Sequence, residues 1–118
     1  MLRVYAYSKC GTCKKAISWL KARNLALEEI PIVERPPTAE QLAEVMKKSG
    51  RPLKKLFNTS GQSYRQGGWK EKLPGLSEAE ALKALAADGK LIKRPIVLGE
   101  AMALVGFDQG SYESAFGG

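Results

Sequence analysis

The sequence predicts an α/β fold in which a βαβ unit and a ββα unit are separated by a helical insertion. Three observations carry this. Period-two alternation at the N-terminus passes directly into a helical apolar stripe. Two capping boxes open helices in the middle of the chain, and a glycine-containing turn separates two short apolar runs near the end.

Leu2, Val4 and Ala6 alternate with Arg3, Tyr5 and Tyr7, the pattern of a β-strand. Cys13, Ala16, Ile17 and Leu20 then recur at helical spacing, with Lys14, Lys15, Ser18 and Lys21 on the other side, and Asn24 ends the helix. Leu27 to Val33 is a second extended run, in which Pro31 cannot donate to a ladder and so belongs to an edge strand or a bulge. Thr38-Ala39-Glu40-Gln41 is a capping box opening a helix with Leu42, Val45 and Met46 on its apolar face; Gly50 and Pro52 end it. Pro52 to Phe57 reads as a short helix, and Asn58 to Gly68 as a turn-rich loop with room for one helical turn. Ser77-Glu78-Ala79-Glu80 is the second capping box, followed by Ala81, Leu82, Leu85 and Ala86 and closed by Asp88-Gly89. Ile96-Val97-Leu98, a turn at Gly99-Glu100, and Met102 to Val105 form a predicted hairpin, after which Asp108 caps a last helix through Tyr112 and Phe116.

This order is that of a thioredoxin-like fold. The 118 residues, 44% hydrophobic, suit a single domain with one core. Residues 1-35 and 90-118 would form the thioredoxin-like part and residues 38-89 the insertion. Composition narrows the function classes. No apolar run is long enough to cross a bilayer and no signal peptide opens the chain, so a soluble, cytoplasmic protein without membrane contact is expected. Two cysteines and no histidine could supply only half of a zinc site, so no metal is expected. The net charge of +7 could serve an acidic partner, but most of the lysines fall on the solvent faces of the predicted helices (Lys14, Lys15, Lys21, Lys47, Lys48, Lys54, Lys55) without any nucleic-acid-binding motif. No direct nucleic-acid binding is expected, and the chain is expected to be a monomer.

The chemistry is carried by Cys10 and Cys13, a CxxC pair directly after the first strand and opening the first helix. The thiolate is the nucleophile in disulfide exchange, and a free cysteine with a pKa of ~8.5 is mostly protonated near neutrality; a helix start and nearby positive charge favour ionisation. Cys10 occupies that position, with the unpaired amides of Gly11, Thr12 and Cys13 facing its sulfur, and Lys9 and Lys14 flanking the motif. Cys13 begins the apolar stripe and should be the more buried. Cys10 is therefore expected to attack and Cys13 to resolve, the two forming a redox-active disulfide. The competing reading, two space-filling thiols, leaves their position at a strand-to-helix junction unexplained.

Cys10-Gly11-Thr12, Pro36-Pro37, Leu56-Phe57, Leu91-Ile92-Lys93-Arg94-Pro95-Ile96 and Val105-Gly106-Phe107 together resemble the ArsC/Spx family, in order and spacing, over nearly the whole chain. The resemblance implies a cis proline at Pro95, before the third strand and facing Cys10. Arg94 would then be carried to the Cys10 pocket, to stabilise a thiolate or hold an oxyanion or carboxylate; without the resemblance it reads as a surface arginine. Cys10, Cys13 and Arg94 are thus the expected catalytic residues, with Gly11, Thr12 and Pro95 binding substrate.

The family includes glutaredoxin-linked arsenate reductases, Spx-type regulators that bind RNA polymerase, and uncharacterised reductase-like members. The arsenate reductases hold the oxyanion with three arginines. This chain keeps Arg94 but has Asn58 after Leu56-Phe57, no arginine between Gly99 and Gly106, and Cys13 where those enzymes have serine. Two charge-assisted anchors, each worth ~1.5 to 3 kcal/mol, would be lost unless Arg65 or another basic group compensates. The Spx-type regulators share the CxxC and Arg-Pro-Ile but carry more chain beyond the last helix, whereas Leu56 to Arg65 looks like the reductase-like subgroup. The first expectation is therefore a thiol-disulfide oxidoreductase acting on a protein or glutathione disulfide, with no bound cofactor and with glutathione, glutaredoxin or thioredoxin as reductant. A redox-sensitive regulator contacting the RNA polymerase α-subunit is the alternative, and arsenate reductase the second alternative.

Overall fold

A computed structural model describes residues 1–116. Its elements are β1 (Leu2–Ala6), α1 (Gly11–Ala22), β2 (Leu27–Pro31), α2 (Ala39–Ser49), α3 (Gln62–Gln66), α4 (Trp69–Lys72), α5 (Glu78–Ala87), β3 (Ile96–Leu98), β4 (Ala103–Val105) and α6 (Gln109–Ala115), with short 3₁₀ turns at Leu53–Leu56, Leu73–Gly75 and Gly89–Leu91. The four strands form one sheet in the order β2-β1-β3-β4. β1 and β2 are parallel, with Leu2 opposite Leu27, and the other pairs are antiparallel, Tyr5 facing Ile96 and Ile96 facing Val105. This is the expected α/β, thioredoxin-like order with helices inserted between its halves. Pro31 falls at the end of the outer strand β2, where no neighbour needs its missing N–H.

Both capping boxes form. Thr38 Oγ1 accepts from the Gln41 amide at 3.1 Å while the Gln41 side chain accepts from the Thr38 amide at 2.9 Å. Ser77 and Glu80 repeat the exchange at 3.1 and 2.9 Å. α2 closes on Gly50 in the left-handed conformation at φ 71°, which glycine adopts without steric cost. Asn24, at φ 59°, follows α1 in the same region. Asp108 caps α6 by accepting from the Ser111 amide.

Two expectations need correction. The single core is two buried clusters, one on each face of the sheet. Tyr5, Ile30, Ile96 and Leu98 pack against the insertion through Leu42, Val45, Leu56 and Phe57, whereas Val4 and Val97 pack against Ala16, Leu20, Leu104 and Tyr112. Val4 and Tyr5, neighbours on β1 that point to opposite faces, are both buried, as befits a strand covered by helices on both sides. The hairpin turn is longer than Gly99-Glu100. Gly99 N–H donates to the Met102 carbonyl at 2.9 Å, and β4 starts at Ala103.

The insertion is pinned to the segment that leads into β3. Phe57 and Ile92 form an antiparallel bridge, Asn58 N–H donates to the Leu91 carbonyl at 2.8 Å, and Lys93 N–H donates to the Leu56 carbonyl at 2.7 Å. Phe57 is packed by Tyr64 and Trp69, with ring centroids 6.2 and 5.8 Å away. This junction fixes Asn58 and the start of α3 relative to Lys90 and Arg94. At Gly89 a side chain would run into the Ile32 backbone, so the chain can pass there only as glycine.

Candidate active site around Cys10 and Cys13

β1 delivers the chain to the site and α1 holds it there. Cys10 is the N-cap of α1, in extended conformation, and its Sγ accepts from the Cys13 amide at 3.3 Å, the position usually filled by a serine or aspartate oxygen. Its own N–H donates to the Tyr7 carbonyl at 3.1 Å, and its carbonyl accepts from Lys14 at 3.2 Å, so the residue is fixed on both sides. No acidic residue lies in the first turn of this 12-residue helix. A negative charge on Cys10 Sγ thus meets an aligned backbone dipole and an N–H donor. The sulfur's residue is half-buried, and Gly11 beside it faces open space: a Cβ there would have nothing within 4 Å.

Cys13 is 1% exposed, and both thiols are free. Burial is the main reason its thiol is pushed up to about 12. The hydrogen bond with the Cys10 side chain and the nearby Cys10 charge add to the shift, while the Tyr7 backbone and the Arg94 guanidinium oppose it. The reduced pair is therefore asymmetric: Cys13 keeps its proton and lends it to Cys10. Tyr112 is near enough to Cys13 to be influenced by it. Its hydroxyl donates to the Gly106 carbonyl at 2.7 Å, and burial, reinforced by Cys13, holds its phenol above the usual range.

Arg94 and Pro95 reach the same end of the sheet because β3 runs antiparallel to β1. With Ile96 opposite Tyr5, the residues before Ile96 lie alongside the segment leading to Cys10. The Arg94-Pro95 bond is cis, Pro95 is buried, and the Pro95 carbonyl accepts from Gly106 at 2.8 Å. The Arg94 guanidinium stacks 4.9 Å over the Tyr7 ring, a cation–π contact that aims it at the site. Arg94 is thus not a plain surface arginine. Gly11 and Thr12 are exposed in the first turn of α1.

A polar cleft of about 380 Å³ adjoins this end of the sheet. Tyr7 and Arg94 form its core wall, and Asn58, Gly61, Gln62, Ser63, Gln66 and Lys90 its other wall. Arg65 does not line it and cannot compensate there for a missing oxyanion arginine; the second cation in the cleft is Lys90. A separate, more apolar cleft of about 370 Å³ lies between α1 and β2 and reaches Cys13. The sequence alone singles out neither Tyr7 nor Lys90. Tyr7 reads as one more alternating strand residue, and Lys90 is brought to Asn58 only by the Phe57–Ile92 bridge. Among the described residues no group of three or more His, Cys, Asp or Glu side chains could hold a metal ion, and no helix is long and apolar enough to cross a membrane.

A thioredoxin-like sheet with a CxxC at the start of its first helix, faced by a cis Arg-Pro, defines the class of this protein as that of thioredoxin-like thiol proteins. The ArsC family model matches residues 5–115, and the chain belongs to that family. It is 48% identical over 112 residues to the uncharacterised protein YusI of Bacillus subtilis, covering 95% of each chain. It is 25% identical over 109 residues to the regulatory protein MgsR of the same organism, covering 92% of this chain and 85% of the other. Among solved structures, an ArsC family related protein from Bacteroides fragilis superposes with a TM-score of 0.91 at 41% identity, covering 96% of this chain and 95% of that one.

Proposed function

We propose that the chain is a thiol-disulfide oxidoreductase in which Cys10 is the nucleophile and Cys13 the resolving thiol, acting on a protein or low-molecular-weight disulfide. The observation that carries this reading is the asymmetry of the pair. Cys10 Sγ sits on the helix start with the Cys13 amide on it, whereas Cys13 is buried and held protonated.

In the first step the Cys10 thiolate attacks one sulfur of the substrate disulfide. The Cys10–S bond forms, the substrate S–S bond breaks, and the departing thiolate takes a proton from solvent. Capping Cys10 removes its negative charge and weakens its hydrogen bond with Cys13, two of the effects that keep Cys13 protonated; Arg94 and the Tyr7 backbone then favour the Cys13 thiolate against the burial that remains. In the second step Cys13 gives its proton to solvent and its thiolate attacks Cys10 Sγ: the Cys13–Cys10 bond forms, the Cys10–substrate S–S bond breaks, and the second substrate sulfur leaves as a thiolate that takes a proton from solvent. Two electrons have passed from the protein to the substrate, and the Cys10–Cys13 disulfide must be reduced by an external thiol such as glutathione, glutaredoxin or thioredoxin. Cys13 is in effect switched on by the event it must follow.

The test is turnover of a mixed glutathionyl disulfide with glutathione and its reductase as the coupled donor, repeated with thioredoxin. Cys10→Ser should reduce the rate to background. Equal rates for Cys10→Ser and the parent protein would overturn the reading.

The likeness to MgsR supports a second reading, a redox-sensitive regulator that contacts the RNA polymerase α-subunit and uses the same cysteine pair as its switch. Its test is capture of the isolated carboxy-terminal domain of that polymerase chain by the reduced and the oxidised protein. Absence of binding in both states would remove it. Arsenate reduction has the weakest support, because Asn58 and not an arginine stands across the cleft from Arg94.

A further inference from the structure

Tyr7 acts on Arg94, Cys10 and Cys13 at once. It follows the last residue of β1, and continuing the antiparallel register past the Tyr5–Ile96 pair sets Arg94 directly opposite it. Its ring carries the Arg94 guanidinium at 4.9 Å, its carbonyl accepts from the Cys10 amide at 3.1 Å, and its backbone favours the Cys13 thiolate. Among the described residues, Tyr7 alone lines both the polar cleft that holds Arg94 and the cleft that reaches Cys13.

The ring is what restrains Arg94. Among the described residues the guanidinium makes no ion pair and no hydrogen bond, and no acidic side chain lines its cleft. Without the ring, this half-buried arginine is free to swing through a cleft of about 380 Å³. Its attraction for a thiolate falls with distance and with the water that screens it. The ring itself has a fixed seat, packed against the core cluster under the insertion. The Tyr7 hydroxyl takes no part, because it makes no hydrogen bond among the described residues, whereas those of Tyr5 and Tyr112 do. The hold on Arg94 therefore depends on the aromatic face, which phenylalanine also presents.

The resolving step is where this cation matters. Once Cys10 carries the substrate sulfur its own charge is gone, and the charged side chain still acting on Cys13 is Arg94, which favours its thiolate. That thiolate then forms the Cys13–Cys10 bond as the Cys10–substrate S–S bond breaks; the Cys13 proton has passed to solvent, and the substrate sulfur leaves as a thiolate. We propose that Tyr7 is a positioning residue for resolution, its aromatic face holding Arg94 where the guanidinium stabilises Cys13 as it ionises. This deepens the oxidoreductase reading and rests on it for the resolving step, whereas the hold on Arg94 requires no reaction.

The experiment has two arms, both on the full chain. In the first, nitrogen-relaxation NMR of the Arg94 Nε–H, assigned by its loss in Arg94→Gln, reads how firmly the guanidinium is held in the reduced protein. The group should be restricted and ring-shifted in the parent protein and in Tyr7→Phe, and mobile in Tyr7→Leu, which keeps an apolar side chain without the ring. In the second arm, reduced protein is mixed with oxidised glutathione, quenched with acid at intervals and weighed intact, which gives the rates at which the Cys10 adduct forms and clears. Clearance should slow roughly two- to fivefold in Tyr7→Leu, the loss of one exposed cation–π contact, and return to the parent rate in Tyr7→Phe. In an Arg94→Gln background Tyr7→Leu should have no further effect, an outcome that a merely structural role for Tyr7 would not give. Arg94→Gln alone should slow clearance at least as much, and an unchanged rate there overturns the proposal even where Tyr7→Leu does not fold. An Arg94 signal as ordered in Tyr7→Leu as in the parent protein also overturns it, as does clearance that slows equally in Tyr7→Phe or in both backgrounds. A parent protein that forms no Cys10 adduct removes the oxidoreductase reading and the proposal together. One that forms and clears the adduct while Tyr7→Leu matches its rates removes the proposal alone.

Discussion

Selective alkylation of the two cysteines tests the asymmetry of the site quantitatively. At about pH 7.5 a thiol with the ordinary value of 9.0 is about 3% ionised, whereas a thiol held at about 12 is about 0.003% ionised. Cys13 should therefore react with iodoacetamide about a thousandfold more slowly than an unperturbed cysteine, before any further slowing by its 1% exposure. The assay is peptide mass spectrometry of reduced native protein quenched at intervals, with the urea-unfolded protein as the unperturbed reference. Cys10 should be modified first and alone, and Cys13 only on the timescale of unfolding. In the Cys10→Ser variant Cys13 loses the nearby Cys10 charge and should speed up, though burial keeps it well below the unfolded rate. Comparable alkylation of both cysteines in the native parent protein would refute the argument.

Further consequences follow from the same geometry. Because the Cys13 value is raised on folding, its contribution to stability is complete below about pH 9 and is lost as pH rises from about 9 toward 12, at up to about 1.4 kcal/mol per pH unit; urea denaturation at stepped pH checks this, and Cys13→Ala should flatten the dependence. Tyr112→Phe leaves the Gly106 carbonyl without its buried partner and should cost about 1 to 3 kcal/mol by the same denaturation assay. Thr38→Ala removes the capping hydrogen bond of α2 and should cost about 1 kcal/mol. Asn58→Arg puts a second guanidinium in the cleft and should strengthen arsenate binding roughly 10- to 100-fold by calorimetry, the effect of one charge-assisted hydrogen bond.

The parts of this protein legible in its sequence are those set by local rules. The two capping boxes, the stop at Gly50, the cap at Asp108 and the N-cap position of Cys10 each follow from a few neighbouring residues. α4 has no such local signature. It is four residues long and starts after Gly68 in the left-handed region, and tertiary packing of Trp69 on Phe57, not a local pattern, stabilises it. The burial of Tyr5 is likewise not set by local alternation: it enters the core under the insertion and is 3% exposed. At the site, the cysteine pair is legible from spacing and position. Arg94 and Pro95 acquire meaning only through family resemblance, since their proximity to Cys10 comes from antiparallel pairing over a large sequence separation. The Tyr7 ring beneath Arg94 and Lys90 in the cleft depend on that pairing and on the Phe57–Ile92 bridge, which no periodicity encodes.

The central claim, that Cys10 attacks and Cys13 resolves, is tested most directly by intact-mass analysis of the Cys13→Ser protein after exposure to oxidised glutathione. The account predicts a single, stable glutathionyl adduct on Cys10 that the parent protein clears by forming the Cys10–Cys13 disulfide. An adduct that fails to form, or that the parent protein retains as long as Cys13→Ser does, would contradict it.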